Sequence, residues 1–109
     1  MSASDEQEDR SRIAFLGELD AVIRDRLARL PHGSYTTRLA ASGARGAAQK
    51  VGEEAVELAL AAVAGTRDQQ LDEAADLVYH LQVLLAMLDL SLADVAARLA
   101  LRRGAQDTR

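Results

Sequence analysis

The chain has 109 residues, which is enough for one hydrophobic core and too few for two. Its 17 acidic residues outnumber its 13 basic ones, and the formal charge of -4 argues against nucleic acid as the main partner. It contains no cysteine, which excludes disulfides, thiolate nucleophiles and cysteine-rich zinc sites and suits a cytoplasmic location.

The N-terminal segment is polar and acidic, with none of the apolar stretch that marks a secretory signal or a membrane anchor. We expect residues 1–10 to form a disordered tail, 11–104 to form a single domain and 105–109 to form a second tail. The longest apolar run, 77–90, is interrupted by polar residues and is shorter than the ~20 residues of a membrane span. We therefore expect no membrane partner.

Four stretches of the chain repeat apolar residues every third or fourth position, which is the pattern of an amphipathic helix. Glycine at the end of the second stretch, Gly65, is expected in the left-handed conformation that commonly follows a helix. The four predicted helices cover about residues 11–30, 46–64, 67–89 and 92–104.

Local capping signals support two of these helix starts, because Thr66 precedes Gln69 by three residues and Ser91 precedes Asp94 by three. No segment alternates polar and apolar residues for long enough to predict a strand. The sequence therefore predicts an all-α fold, a helical bundle of four main helices, and leaves open a short fifth helix over 35–41.

The second predicted helix is unusual in its apolar surface. Apolar residues cover about two thirds of its circumference, whereas a surface helix needs only one apolar stripe. A chain of this size exposes a large part of its surface and cannot bury every such face alone. We therefore expect the bundle to be completed by homodimerisation.

Two predicted helices each carry one localised polar patch. Spacings of three, four and seven residues place the side chains of each patch on one helix face. A solvated face would stay polar along its length, but both faces continue into apolar residues. The first patch comprises Lys50, Glu53, Glu54 and Glu57, and the second comprises Glu73, Asp76 and His80.

The short connection between these helices implies that they pack antiparallel, which brings acids of the two patches face to face. The four carboxylates predicted to converge are Glu54, Glu57, Glu73 and Asp76. Carboxylates without thiolates suit a hard divalent cation, and Mg²⁺ in particular leaves positions for water and phosphate. We therefore expect Mg²⁺ as the cofactor.

A carboxylate-bound metal beside a lysine suits the hydrolysis of a phosphoanhydride. The metal activates a water, a spare glutamate accepts the proton of that water, and Lys50 holds a phosphate oxygen. The alternative for Lys50 is an ion pair with Glu54 at the i,i+4 spacing.

The segments around these acids resemble a known family. Glu54-x-x-Glu57, followed after fifteen residues by Glu73-x-x-Asp76, is similar to the metal-binding signature of the all-α nucleotide pyrophosphatase (MazG-like) superfamily. Over about residues 16–102 the chain resembles the phosphoribosyl-ATP pyrophosphatase family more specifically. The segments that carry this resemblance are Gly33-Ser34-Tyr35-Thr36, Gln49-Lys50-Val51-Gly52-Glu53-Glu54 and Glu73-Ala74-Ala75-Asp76-Leu77-Val78-Tyr79-His80.

The resemblance implies a homodimeric, Mg²⁺-dependent, ATP-binding hydrolase. Its reaction converts phosphoribosyl-ATP to phosphoribosyl-AMP and pyrophosphate at the α–β phosphoanhydride, the second step of histidine biosynthesis. By resemblance, the metal ligands are Glu54, Glu57, Glu73 and Asp76. We assign catalysis to Glu53 and Glu54, and substrate binding to Lys50, Tyr35, Arg38 and His80.

Plainer interpretations remain open for several of these residues. His80 can be a packed core histidine, and Tyr35 and Arg38 can serve packing. Ser34 or Thr36 can simply cap a short helix.

Two other functions also remain open. One is a MazG-like pyrophosphatase that acts on other nucleoside triphosphates. The other, of a different class, is a non-catalytic helical interaction protein whose acidic residues are merely solvated.

Overall fold

A computed structural model describes residues 2–107 of the chain. In this part of the chain all regular structure is helical, and the predicted all-α fold with its short additional helix is confirmed. None of the helices described is both long and apolar enough to cross a bilayer. In chain order they are α1 (Ala3–Arg29), α2 (Tyr35–Ala41), α3 (Gly43–Ala64), α4 (Arg67–Met87) and α5 (Leu92–Asp107).

The N-terminal segment differs from the disordered tail that we expected, because residues 3–10 belong to α1. Ser2 caps this helix: its hydroxyl accepts the backbone N–H of Asp5, and the Asp5 carboxylate accepts the backbone N–H of Ser2. Asp5 and Glu6 also place negative charge in the first turn, where the helix dipole favours it. These local interactions make the segment helical although its side chains are exposed.

The C-terminal tail is also corrected, since α5 continues to Asp107. Gly104 does not end the helix, because a single glycine costs only about 1 kcal/mol in a helix interior. Residues 108–109 of the predicted tail lie outside the described residues.

The hairpin of α3 and α4 is the most extensive helix pair in the fold, and only Gly65 and Thr66 join its two helices. The capping box of Thr66 and Gln69 is confirmed. The left-handed conformation predicted for Gly65 is wrong, because the chain passes directly into the Thr66 cap and is extended there, with φ -90° and ψ 170°. Glycine is required for another reason, since a Cβ would lie 2.8 Å from the carbonyl oxygen of Ala61.

The hydrophobic core lies where α1, α2 and α4 meet. One buried side chain comes from each helix, namely Ile23, Leu39 and Val83, and partly buried neighbours including Tyr79 pack around them. Gln82 of α4 is fully buried and donates to the backbone carbonyl of Leu16 at 2.8 Å, which ties α4 to α1. This core holds the short α2 against α4.

The protomer is more open than a chain of its size usually is. Its radius of gyration is 16.1 Å, whereas about 13 Å is typical for this length. Its accessible surface is 7945 Å², against roughly 5,900 Å² expected from its mass. The exposed first turns of α1 contribute to both differences. Large apolar side chains also remain exposed on α1, α3 and α4: Phe15, Val56, Leu60, Val63 and Leu71.

Candidate active site

Three carboxylates converge in the α3–α4 hairpin. Glu54 and Glu57 of α3 and Glu73 of α4 each place an oxygen within 4.8 Å of the others. The three-residue spacing puts the two α3 side chains on one helix face, and the short connection turns that face towards α4. We call these three residues the acidic group. It contains three of the four residues predicted to bind metal.

Burial makes the acidic group chemically unusual. Glu54 is only 5% exposed, and one carboxylate oxygen each of Glu54 and Glu73 is buried and accepts no hydrogen bond within the described part of the chain. A buried carboxylate oxygen without a partner is costly, and neighbouring carboxylates repel one another. The group therefore offers the oxygen ligands and the excess of negative charge that a hard divalent cation requires.

The fourth predicted ligand, Asp76, lies outside this group. It stands three residues after Glu73, on the same side of α4, and its side chain is exposed. Glu53, predicted to be catalytic, is also exposed: its carboxylate accepts a hydrogen bond from Gln49 at 3.1 Å and lies 3.9 Å from the amine of Lys50.

Lys50 lies between the acidic group and the exposed carboxylate of Glu53. Its amine is 3.3 Å from the Glu54 carboxylate, so the i,i+4 ion pair considered from the sequence is present. The hydrogen bond that Lys50 donates to Glu54 is the main cause that raises the pKa of Lys50, while desolvation acts in the opposite direction. Lys50 is therefore a permanent cation beside the acidic group at neutral pH.

A second polar cluster lies further along α4. The rings of Tyr35, Tyr79 and His80 pack together with centroids 5.3–6.1 Å apart. Nδ1 of His80 lies 2.6 Å from the backbone carbonyl of Asp76, and Nε2 lies 2.8 Å from the Tyr35 hydroxyl. Because a carbonyl can only accept, Nδ1 carries a proton, and in the neutral imidazole Nε2 then accepts from the Tyr35 hydroxyl. We call these three rings, with Thr36, the aromatic cluster.

The sequence did not indicate the structural role of Thr36, for which helix capping was favoured over substrate contact. Ser34 is the cap, since its hydroxyl accepts the backbone N–H of Thr37. Thr36 is fully buried and shares a hydrogen bond of 2.6 Å with the Tyr79 hydroxyl. Thr36 stands in the motif Gly33-Ser34-Tyr35-Thr36 that carries the resemblance, but nothing in the local spacing indicates a partner 43 residues away.

Arg38 lies at the exposed side of the aromatic cluster. Its guanidinium carbon is 5.4 Å from the centre of the Tyr35 ring, and one of its nitrogens donates to the carbonyl of Gly33 at 3.2 Å. A guanidinium has five N–H donors in a planar arrangement that matches phosphate. Arg38 therefore retains donors for an anion.

The fold and the site together define a class: an all-α protein whose antiparallel helix pair carries a partly buried acidic group beside the cation Lys50. A family model agrees with this class, since the one described as Phosphoribosyl-ATP pyrophosphohydrolase matches residues 16–103. The chain belongs to the phosphoribosyl-ATP pyrophosphohydrolase family. The family resemblance found in the sequence is thus confirmed.

Individual relatives carry consistent names. A protein of Pyrobaculum aerophilum named phosphoribosyl-ATP pyrophosphatase is 54% identical over 85 residues, which cover 78% of this chain and 90% of the relative. The protein of that name from Agrobacterium fabrum is 47% identical over 89 residues, covering 82% and 83%.

Relatives named histidine biosynthesis bifunctional protein HisIE are similar to the chain over only part of their length. The one from Xanthomonas axonopodis pv. citri is 56% identical over 88 residues, covering 81% of this chain and 43% of the relative. The chain therefore spans less than half of the length of these bifunctional relatives.

Proposed function

We propose that this chain hydrolyses the α–β phosphoanhydride of phosphoribosyl-ATP to phosphoribosyl-AMP and pyrophosphate, the second step of histidine biosynthesis. The observation that carries the proposal is the acidic group, in which one buried carboxylate oxygen on each of the two helices has no hydrogen-bond partner among residues 2–107. Support for this substrate comes from two relatives named phosphoribosyl-ATP pyrophosphatase that the chain matches over most of their length.

Mg²⁺ is the cofactor that we propose for this reaction. Glu54, Glu57 and Glu73 would hold it, because their oxygens converge and, among the described residues, only Glu54 of the three has a cationic partner, Lys50. Asp76 is the further candidate, one turn along α4. A bound Mg²⁺ neutralises phosphate charge and makes water a stronger nucleophile at neutral pH.

The remaining charged residues supply the other roles of a hydrolysis. Lys50 and Arg38 bind phosphate oxygens, since both are cations with donors to spare. Glu53 lies outside the acidic group and is exposed, so its carboxylate is available to accept the proton of the attacking water. Water adds to phosphorus, the bridging P–O bond breaks, and the products are phosphoribosyl-AMP and pyrophosphate.

The active form that we propose is a homodimer. The protomer exposes roughly 2,000 Å² more than its mass predicts, and a standard interface takes only about 800 Å² from each partner. Val56, Leu60 and Val63 form an exposed apolar stripe on α3 at spacings of four and three residues, next to the acidic face. A second copy of the chain fits such a stripe.

Substitution within this stripe tests the homodimer. Leu60→Glu places a charge in the proposed interface and is expected to give monomers in sedimentation velocity. The control is Leu101→Glu on α5, at a leucine that is 69% exposed against 66% for Leu60. Dimers in both variants would exclude the α3 stripe as the interface, and monomeric wild-type protein would exclude the dimer itself.

Two further properties stay predictions of the sequence: the cytoplasmic location and the absence of nucleic-acid and membrane partners. The functional alternatives are a pyrophosphatase of other nucleoside triphosphates and a non-catalytic interaction protein.

The first experiment measures pyrophosphate release from phosphoribosyl-ATP, with and without Mg²⁺, beside dUTP, dCTP and ATP. Variants of the proposed metal ligands should lose the activity, whereas Asp72→Asn, an exposed acid beside Glu73, should keep it. Release from only the other nucleotides would support the first alternative, and release from none would support the second. The variants are Glu54→Gln, Glu57→Gln, Glu73→Gln and Asp76→Asn.

A further inference from the structure

The environment of His80 excludes direct contact with a ligand. The residue is 7% exposed, and each of its two ring nitrogens already has a partner within the chain, at 2.6 Å and 2.8 Å. An imidazole has no third polar atom with which to bind a substrate. The assignment of His80 to substrate binding, made from the resemblance, is therefore replaced by another role.

The partner of His80 lies on a helix that needs tertiary support. α2 has seven residues, and a helix of this length is not stable in water by itself. Two side-chain hydrogen bonds join it to α4, one from Tyr35 to His80 and one between Thr36 and Tyr79. The Tyr35 ring meets the His80 ring edge-on, at 87°. His80 thus determines where the Tyr35 ring stands.

The Tyr35 ring in turn supports Arg38. The guanidinium stacks over the ring at 5.4 Å, a cation–π geometry in which the position of the ring limits where the charge can lie. A connected series of contacts runs from the Asp76 backbone through His80 and Tyr35 to Arg38. It begins on the helix that carries Glu73 and ends at an exposed cation.

We propose that His80 is a positioning residue that acts through Tyr35: it holds the Tyr35 hydroxyl, and thereby places Arg38 to bind a phosphate group of the substrate. The inference deepens the proposed function and rests on it, because the phosphate that Arg38 binds belongs to the proposed substrate.

Kinetic measurements test this role on folded variants. Tyr35→Phe removes only the hydroxyl, and His80→Leu removes both ring nitrogens. Each is expected to raise KM for phosphoribosyl-ATP about fivefold, the worth of one net hydrogen bond, with kcat changed less than about twofold. The double variant should be no worse than His80→Leu alone, because both changes break the same contact.

A conservative substitution separates positioning from packing. His80→Gln keeps one donor and one acceptor and is expected to recover part of the lost KM relative to His80→Leu. Equal KM values for wild type, Tyr35→Phe and His80→Leu, or additive losses in the double variant, would overturn the inference. If the wild type itself releases no pyrophosphate from phosphoribosyl-ATP, the failure is that of the proposed function.

A spectroscopic measurement tests the same contact without substrate and without a substitution of the buried His80. Nitrogen-15 NMR of the imidazoles should show the Nδ1–H tautomer for His80 in the wild-type protein. His32, the other histidine, is exposed and serves as the internal reference. Tyr35→Phe should shift the Nε2 resonance of His80 and leave that of His32 unchanged. An Nε2–H tautomer, or no response of His80 to Tyr35→Phe, would contradict the proposed contact.

Discussion

The acidic group and the aromatic cluster share helix α4 and differ in whether their polar atoms are hydrogen-bonded within the chain. In the acidic group, buried oxygens of Glu54 and Glu73 have no hydrogen-bond partner among the described residues. In the aromatic cluster, the hydroxyls of Tyr35 and Tyr79 and both nitrogens of His80 are hydrogen-bonded.

The contrast separates two ways of building a site. A cluster whose polar atoms are satisfied by the chain gains rigidity and has little left to offer a ligand. A cluster in which three carboxylates share one cationic partner among the described residues is unfavourable by itself and becomes favourable when a further cation binds. The acidic group is thus suited to binding, and the aromatic cluster is suited to positioning. Changes in the two clusters should therefore act on different properties.

The largest effect is expected from Glu73→Gln, which removes a charge that no cation of the chain pairs with in the described structure. We expect kcat to fall roughly a thousandfold, since the metal supplies several kcal/mol of charge stabilisation. The thermal stability of the metal-free protein should rise, because repulsion within the acidic group is relieved. Activity assays and thermal denaturation in EDTA measure the two effects, with Asp72→Asn as the control.

If Glu73→Gln instead lowered the stability of the metal-free protein, the charge of Glu73 would already be compensated within the chain. The difference between the acidic group and the aromatic cluster would then be contradicted.

The next effect is stabilisation by Mg²⁺ itself. At a concentration about 100 times its Kd, a ligand that binds only the folded state contributes about 2.7 kcal/mol. For a domain of this size that corresponds to a rise in Tm of roughly 10 °C. Thermal scans should show this rise for the wild type and for Tyr79→Phe but not for Glu73→Gln. An unchanged wild-type Tm in excess Mg²⁺ would exclude the acidic group as its site.

Within the aromatic cluster, the contact between Thr36 and Tyr79 should respond in stability alone. Tyr79→Phe leaves the buried Thr36 hydroxyl without its partner and should cost about 2 kcal/mol. Combining it with Thr36→Val removes both partners and should recover most of that loss. Urea denaturation of the two single variants and the double variant measures the cycle. If the double variant were less stable than either single variant, the hydrogen bond would not be the interaction that stabilises the contact between Thr36 and Tyr79.

The smallest effect is expected at Lys50. Lys50→Gln should raise KM about tenfold, the worth of one charge-assisted hydrogen bond, whereas Arg67→Gln at the start of α4 should leave KM unchanged.

The raised pKa of Lys50 determines how its contribution to folding stability depends on pH. Its stabilising contribution is fully present below the ordinary lysine pKa and is lost as the pH rises through the raised value. The stability difference between wild type and Lys50→Gln should therefore be constant through neutral pH and shrink only in alkaline solution.

Lysine ordinarily has a pKa of about 10.4. If the stability difference between wild type and Lys50→Gln already fell between about pH 6 and 8, a group other than Lys50 would control the Lys50–Glu54 pair.

The sequence by itself was sufficient for the features that depend on local spacing. Periodic apolar residues predicted the helices, and the cap formed by Ser91 and Asp94 is present as expected. The three-residue spacing of Glu54 and Glu57, with a short connection to the next helix, was enough to predict that they face Glu73.

Tertiary structure alone decided what depends on distance across helices. The periodicity placed Asp76 beside Glu73 but could not decide that its carboxylate would lie outside the acidic group. The spacing placed His80 on the acidic side of α4, but its partner Tyr35 is 45 residues away and is brought there by the packing of α2. Local sequence determines which face a side chain occupies, whereas burial and partners depend on how that face meets another helix.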